Sequence, residues 1–243
     1  MKGNGSLSWR LSCYASAVAA VHLLASSCSP EAQPAQRSEK SEPTALAGEP
    51  QGVGKLVLAF GDSLYAGYGL APNESFPAQL EQALRKSGVA VSVQNAGVSG
   101  DTTAAGLERL EFTLAGLPRV PDLAIVGLGG NDMLRGLDPA VTRRNLQSIC
   151  GRLRERGIPV VLTGMLAPPN LGADYRRRFD AVFPDVAKQC GAALYPFFLQ
   201  GVVTDSALML PDRIHPNREG VQRVVRAIAP TIGAELAKAP SRQ

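Results

Sequence analysis

The sequence has almost no histidine. Two occur in 243 residues, His22 and His215, and the acids are scattered, so no cluster has metal-ligand spacing. Aromatic residues are only 5%, with a single tryptophan, so any core must be mainly aliphatic. No charge of one sign dominates: the formal net charge is +4. No Lys/Arg cluster is interleaved with aromatics, which excludes a nucleic-acid binder. The Arg176-Arg177-Arg178 run is short and reads as a solvated helix face. A Gly-Lys-Ser/Thr phosphate loop is missing, which excludes the Walker nucleotide binders. There is no Gly-x-Ser-x-Gly elbow either, which argues against an α/β-hydrolase fold. No internal repeat is evident.

What is present begins with a targeting segment. Residues 1–10 carry Lys2 and Arg10 and no acid, and residues 11–25 are mostly apolar and small. That stretch is too short to span a membrane comfortably but suits a signal-peptide core. Leu24-Ala25-Ser26-Ser27-Cys28 resembles a bacterial lipobox, which would make Cys28 a lipidated mature N-terminus and tether the protein to a membrane. Ordinary cleavage near Ser27 is the alternative, and both readings export the protein. Without Lys2 and Arg10 the net charge falls to +2. Residues 29–54 are rich in Ser, Glu, Pro, Ala, Gln and Gly. They hold too little apolar surface to fold alone and read as a flexible linker.

The domain is expected over 55–243, and 45% hydrophobic residues supply an ample core. Strands are expected at 56–60, 89–93, 123–128, 159–163 and 192–195. Helices are expected at 76–86, 103–114, 139–156, 175–189 and 218–237. Continuous apolar runs such as Leu56-Val57-Leu58-Ala59-Phe60 suit strands buried on both faces. Their alternation with helices implies a parallel sheet in a three-layer α/β/α domain.

The loops that follow these strands hold the chemistry. The first strand ends in Gly61-Asp62-Ser63-Leu64, at the sheet edge where open α/β folds bind ligands. Ser63 is a nucleophile only if a base takes its proton; otherwise Asp62 and Ser63 simply cap the next turn. His215 is the sole histidine beyond the leader, and Asp212 precedes it by three positions. One tight turn can set that carboxylate against the imidazole and fix its tautomer. The alternative is an ordinary surface turn before the last helix. Gly100 and Asn131 are candidate oxyanion donors, or turn residues. Asp101 reads as the N-cap of the second helix, and Asp132 as a residue that holds its own loop together.

Taken in order, Gly61-Asp62-Ser63-Leu64, Gly100, Gly129-Gly130-Asn131-Asp132 and Asp212-x-x-His215 resemble the four blocks of the SGNH (GDSL) hydrolase superfamily. The flanking residues look like its bacterial thioesterase I/lysophospholipase L1 and arylesterase-like branch. The resemblance implies a flavodoxin-like, five-stranded parallel sheet and no metal or organic cofactor. It makes Ser63 the nucleophile, His215 the base and Asp212 its orienter, with the Ser63 and Gly100 N–H groups and the Asn131 side chain as the oxyanion hole. Arg213 stands where relatives often have glycine.

The function expected is an exported serine esterase or thioesterase acting on lysophospholipids, monoacylglycerols or short aryl and alkyl esters. The alternatives are a carbohydrate O-deacetylase and a catalytically silent surface binding module, and the oligomeric state is left open. In flavodoxin-like order the helices carrying Cys150 and Cys190 are neighbours, so this pair forms either a disulfide or two packed thiols.

Overall fold

Strand β1 (Lys55–Gly61) is hydrogen-bonded on both sides, to β2 (Val91–Gly97) and to β3 (Leu123–Gly127). That central place explains its unbroken apolar run. Val57 and Ala59 face one helical layer while Leu58 and Phe60 face the other, all four fully buried. Burial of each large side chain is worth about 2 kcal/mol, against about 1 kcal/mol net for a ladder hydrogen bond. The apolar run therefore does more than the pairing to hold β1 in the middle. Strands β4 (Val160–Thr163) and β5 (Ala193–Tyr195) complete a five-stranded, all-parallel sheet in the order β2-β1-β3-β4-β5. The fold is α/β with helices on both sides, as expected. The structure, a computed structural model, describes residues 54–239. The expectations for residues 1–28, Cys28 included, and for 29–53 lie outside the described residues.

Helices α2 (Phe76–Lys86) and α8 (Arg218–Lys238) cover one face through Leu80, Leu84, Val224 and Ile228. Helices α3 (Thr103–Ala115), α5 (Pro139–Glu155), α6 (Ala173–Asp180) and α7 (Val182–Cys190) cover the other through Leu110, Leu146, Phe179 and Phe183. Two short helices, α1 (Ser63–Ala66) and α4 (Gly130–Leu134), follow β1 and β3 directly.

Three glycines lie side by side where the sheet ends, with Gly61 paired to Gly97 on β2 and to Gly127 on β3. A Cβ at Gly61 or Gly127 would lie 2.4 or 2.3 Å from the Tyr65 ring, and one at Gly97 would lie 2.2 Å from the Ala66 nitrogen. The missing side chains form a shelf on which α1 sits. Tyr65 crosses it fully buried, packs against Phe76 and Phe198, and its hydroxyl meets Thr163 Oγ1 at 2.8 Å.

The elements depart from the sequence reading in four places. The helix expected over 175–189 is two, broken at Ala181; Pro184 has no N–H to offer Asp180 and its ring crowds that carbonyl. Strand β2 begins and ends later than expected, because it is an edge strand whose half-exposed polar residues hide its extent. Thr102, not Asp101, caps α3, accepting the Ala105 N–H; Asp101 instead pairs with Arg109 at 2.5 Å. Asp132 ties together elements rather than its own loop. It accepts from the Thr103 N–H at 2.8 Å, the Thr103 hydroxyl at 2.5 Å and the Thr142 hydroxyl at 3.2 Å. Cys150 on α5 is buried and Cys190 ends α7, and both are free thiols.

Asp132 is fully buried, and its carboxylate is the common acceptor for α3 and α5. Asp132→Ala leaves three donors without it inside the protein. The expected loss is about 3 kcal/mol, read as a lower denaturation midpoint at unchanged m-value.

Candidate active site

The chain leaves β1 for β2 on one side of the sheet and later reaches β3 on the other, so a crevice opens between the carboxyl ends of β1 and β3. Helix α1 starts there. Asp62 is its N-cap, with Oδ1 accepting the Leu64 N–H at 3.0 Å, and Ser63 is its first residue. The bland expectation for Asp62 thus holds, while Ser63 is turned to other partners.

His215 arrives on the turn between residues 209 and 217. That turn is closed by Leu210 N–H to His215 O (2.8 Å), Asn217 N–H to Leu208 O (2.9 Å) and a bridge between Met209 and Pro216. His215 Nε2 lies 2.8 Å from Ser63 Oγ and Nδ1 lies 2.7 Å from Asp212 Oδ2. A carboxylate can only accept, so Nδ1 carries the proton and Nε2 accepts from the Ser63 hydroxyl. Tyr68 lies against the imidazole with ring centroids 4.4 Å apart. The other Asp212 oxygen accepts the Ile214 and His215 N–H groups at 2.9 and 3.0 Å. Desolvation alone would raise the Asp212 pKa, but the hydrogen bonds from the His215 ring and the two N–H groups outweigh it and hold it at about 2.

The turn around Asp212 has one strained residue. Arg213 has φ 57°, the one positive value at a non-glycine among the described residues. Left-handed backbone costs a residue with a Cβ about 1–2 kcal/mol.

Asn131 stands in the first turn of α4, after Gly129 at φ 115°. Its Nδ2 donates to Asp62 Oδ2 at 3.3 Å, which leaves the second amide hydrogen free. Gly100 has φ 85°, and its carbonyl accepts from Arg135 Nη2 at 2.7 Å. Arg135, the C-cap of α4, thereby links the Gly100 loop to the helix that carries Asn131. All five expected site residues of the domain thus border one crevice or its supporting turn: Ser63, Gly100, Asn131 and His215 line it, and Asp212 backs His215.

The crevice is a cavity of about 510 Å³ with largely aliphatic walls, among them Leu134, Leu166, Val203 and Ile214. These four are also exposed large apolar residues. Among the described residues, no group of three or more His, Cys, Asp or Glu could hold a metal ion.

Sequence reasoning missed Tyr65, Arg109 and Arg135. Arg109 donates to Asp101 and to Gly61 O (3.0 Å) and lies over the Phe60 ring, which braces the end of β1. Each acts through contacts with segments far along the chain, and their own neighbours in sequence carry no signal of it.

A parallel sheet in this order, with a crevice at its carboxyl edge, defines a flavodoxin-like α/β class. Residues 59–223 match the GDSL-like Lipase/Acylhydrolase family, and the chain belongs to it as a carboxylic ester hydrolase. It is 40% identical to Esterase TesA of Pseudomonas aeruginosa over 182 residues, covering 75% of this chain and 90% of that one. Thioesterase 1/protease 1/lysophospholipase L1 of Escherichia coli K12 is 37% identical over 163 residues, 67% of this chain and 76% of that one. The solved structure of AlinE4, an SGNH-hydrolase family esterase, superposes with a TM-score of 0.65 at 51% identity, covering 78% of this chain and 99% of that chain.

Burial raises the Asp62 carboxyl to about 6 from an ordinary 3.8, although the Leu64 N–H and the charge of His215 oppose the shift. The native state therefore holds this proton more tightly than the unfolded chain. Its contribution to stability is complete below about pH 4 and is lost as pH rises to about 6, a change of about 3 kcal/mol. Urea unfolding of wild type and Asp62→Asn at pH 4 and pH 7 should show wild type losing about that much more stability than the variant.

Proposed function

We propose that this protein is an exported serine esterase or thioesterase that cleaves acyl esters through an acyl-enzyme. The observation that carries the reading is the continuous chain from Asp212 through His215 to Ser63, at 2.7 and 2.8 Å, opening into an apolar cavity. Ser63 Oγ attacks the ester carbonyl as His215 Nε2 takes its proton. Asp212, ionised at any working pH because its pKa is about 2, stabilises the imidazolium. The Ser63 and Gly100 N–H groups and Asn131 Nδ2 hold the oxyanion. His215 then returns the proton to the leaving alcohol or thiol, and a water activated by the same imidazole releases the acid.

The cavity walls support a substrate class. Leu134, Leu166 and Val203 suit an aliphatic acyl chain, and about 510 Å³ exceeds what an acetyl group needs. That favours lysophospholipid, monoacylglycerol or short aryl and alkyl esters over sugar O-acetyl groups. Residues 1–28 are the export signal in this reading, with Cys28 the lipidation candidate and 29–54 the linker. An exported enzyme does not meet cytoplasmic acyl-CoA.

Ser63→Ala and His215→Ala should each lower p-nitrophenyl ester hydrolysis by at least about 10⁴-fold with native circular dichroism, and Asp212→Asn by about as much. Substantial turnover by purified His215→Ala would overturn the mechanism. The alternative of a silent binding module is tested by the same proteins, since it forecasts no labelling of Ser63 by a fluorophosphonate.

Asn131 tests the oxyanion assignment separately. If it only shaped its turn, Asn131→Gly would be tolerated. As a donor its loss should lower kcat by about 10²–10³ with little change in KM, while slow fluorophosphonate labelling remains.

A further inference from the structure

The turn at Arg213 requires a left-handed backbone but no arginine. Asp212 accepts the N–H groups of Ile214 and His215, and the Arg213 N–H bonds Leu210 O at 2.9 Å, so residue 213 sits at the apex of a wrap around the carboxylate. Glycine makes that conformation without strain. Arg213 nevertheless holds a long cationic side chain there at φ 57°. Strain of this kind persists where it serves a site.

The side chain has no ion-pair or hydrogen-bond partner among the described residues, whereas Arg135 nearby is bonded to Gly100 O. Arg213 is exposed and lines the cavity. Besides His215, the other acid or base of the lining is Asp62, which is buried and bonded to Leu64 and Asn131. Asp212 is adjacent in sequence, but both its oxygens are taken by His215 and Ile214. The uncommitted charge at the mouth is thus positive.

Its place says which half of a substrate it meets. In the mechanism proposed above, on which this inference rests, His215 Nε2 protonates the departing alcohol, so the alcohol lies beside that imidazole. Arg213 belongs to the same turn, two residues away. The acyl half takes the aliphatic wall of Leu134, Leu166 and Val203. The geometry points to Arg213 as the subsite for an anionic group, phosphate foremost, carried on the alcohol portion of the ester. A guanidinium meets a phosphate through paired, charge-assisted hydrogen bonds.

The test compares 1-butyrylglycerol 3-phosphate with 1-butyrylglycerol, both water-soluble, as a ratio of kcat/KM. In Arg213→Gln the ratio should fall about tenfold, the scale of one charged hydrogen bond. Arg213→Lys should keep most of the preference. Arg213→Gly removes charge and strain together and should match Arg213→Gln, which separates the two. The wild-type ratio should shrink at high salt while that of Arg213→Gln does not. Repetition with long-chain lysophosphatidic acid and its monoacylglycerol distinguishes the sources: a matching loss there makes a lipid headgroup the ligand, and a loss confined to the butyryl pair makes it a soluble phosphate ester. An unchanged ratio in Arg213→Gln overturns the subsite. Wild-type protein that cleaves neither ester overturns the esterase reading itself, and the subsite with it.

Discussion

The end of the sheet is bare of side chains, and the site depends on that. With Gly61, Gly97 and Gly127 in one row, Tyr65 can lie across three strands and reach Thr163 on a fourth. Any Cβ in the row would overlap the ring or the backbone of α1. The first turn of α1 is therefore fixed from below by packing rather than by its own four residues, too few to form a stable helix alone. Ser63 inherits its height and direction from this seat. From this seat its hydroxyl lies 2.8 Å from His215 Nε2.

Two aspartates in the same site are shifted in opposite directions by their surroundings. Asp212 is partly exposed and saturated with donors, which keeps it charged, with a pKa of about 2. Asp62 is buried with fewer donors, which lifts it to about 6. Divergence of this sort marks different tasks for like groups. Asp212 accepts from the His215 ring nitrogen Nδ1. Asp62 joins the N-cap of α1 to the Asn131 amide, so the segments after β1 and β3 share one acceptor.

Much of this was legible in the sequence, for physical reasons that can be named. The apolar runs of β1 and β3 read correctly because strands buried on both faces tolerate nothing else. Helix α2 matched over 76–86, since its apolar residues recur at helical spacing. The four site segments were visible because they occur together and in order, although each alone reads equally well as turn chemistry. What stayed hidden depends on distant contacts. Nothing near Tyr65 announces a shelf built from three other segments. Thr102 and Asp101 are both good caps, and Arg109, eight residues on, draws Asp101 away. The break at Ala181 was signalled by Pro184, whose effect falls four residues back and was masked by the helical pattern on either side.

The contact between Ser63 and His215 joins positions 152 residues apart, and this separation has a consequence in time. Translation delivers the serine early and the imidazole near the end, on the turn that leads into α8. A growing chain, or one cut short before that turn, has Ser63 without the imidazole that lies beside it in the folded domain. The pairing of hydroxyl and imidazole thus waits for that turn to be made and for the domain to close around it.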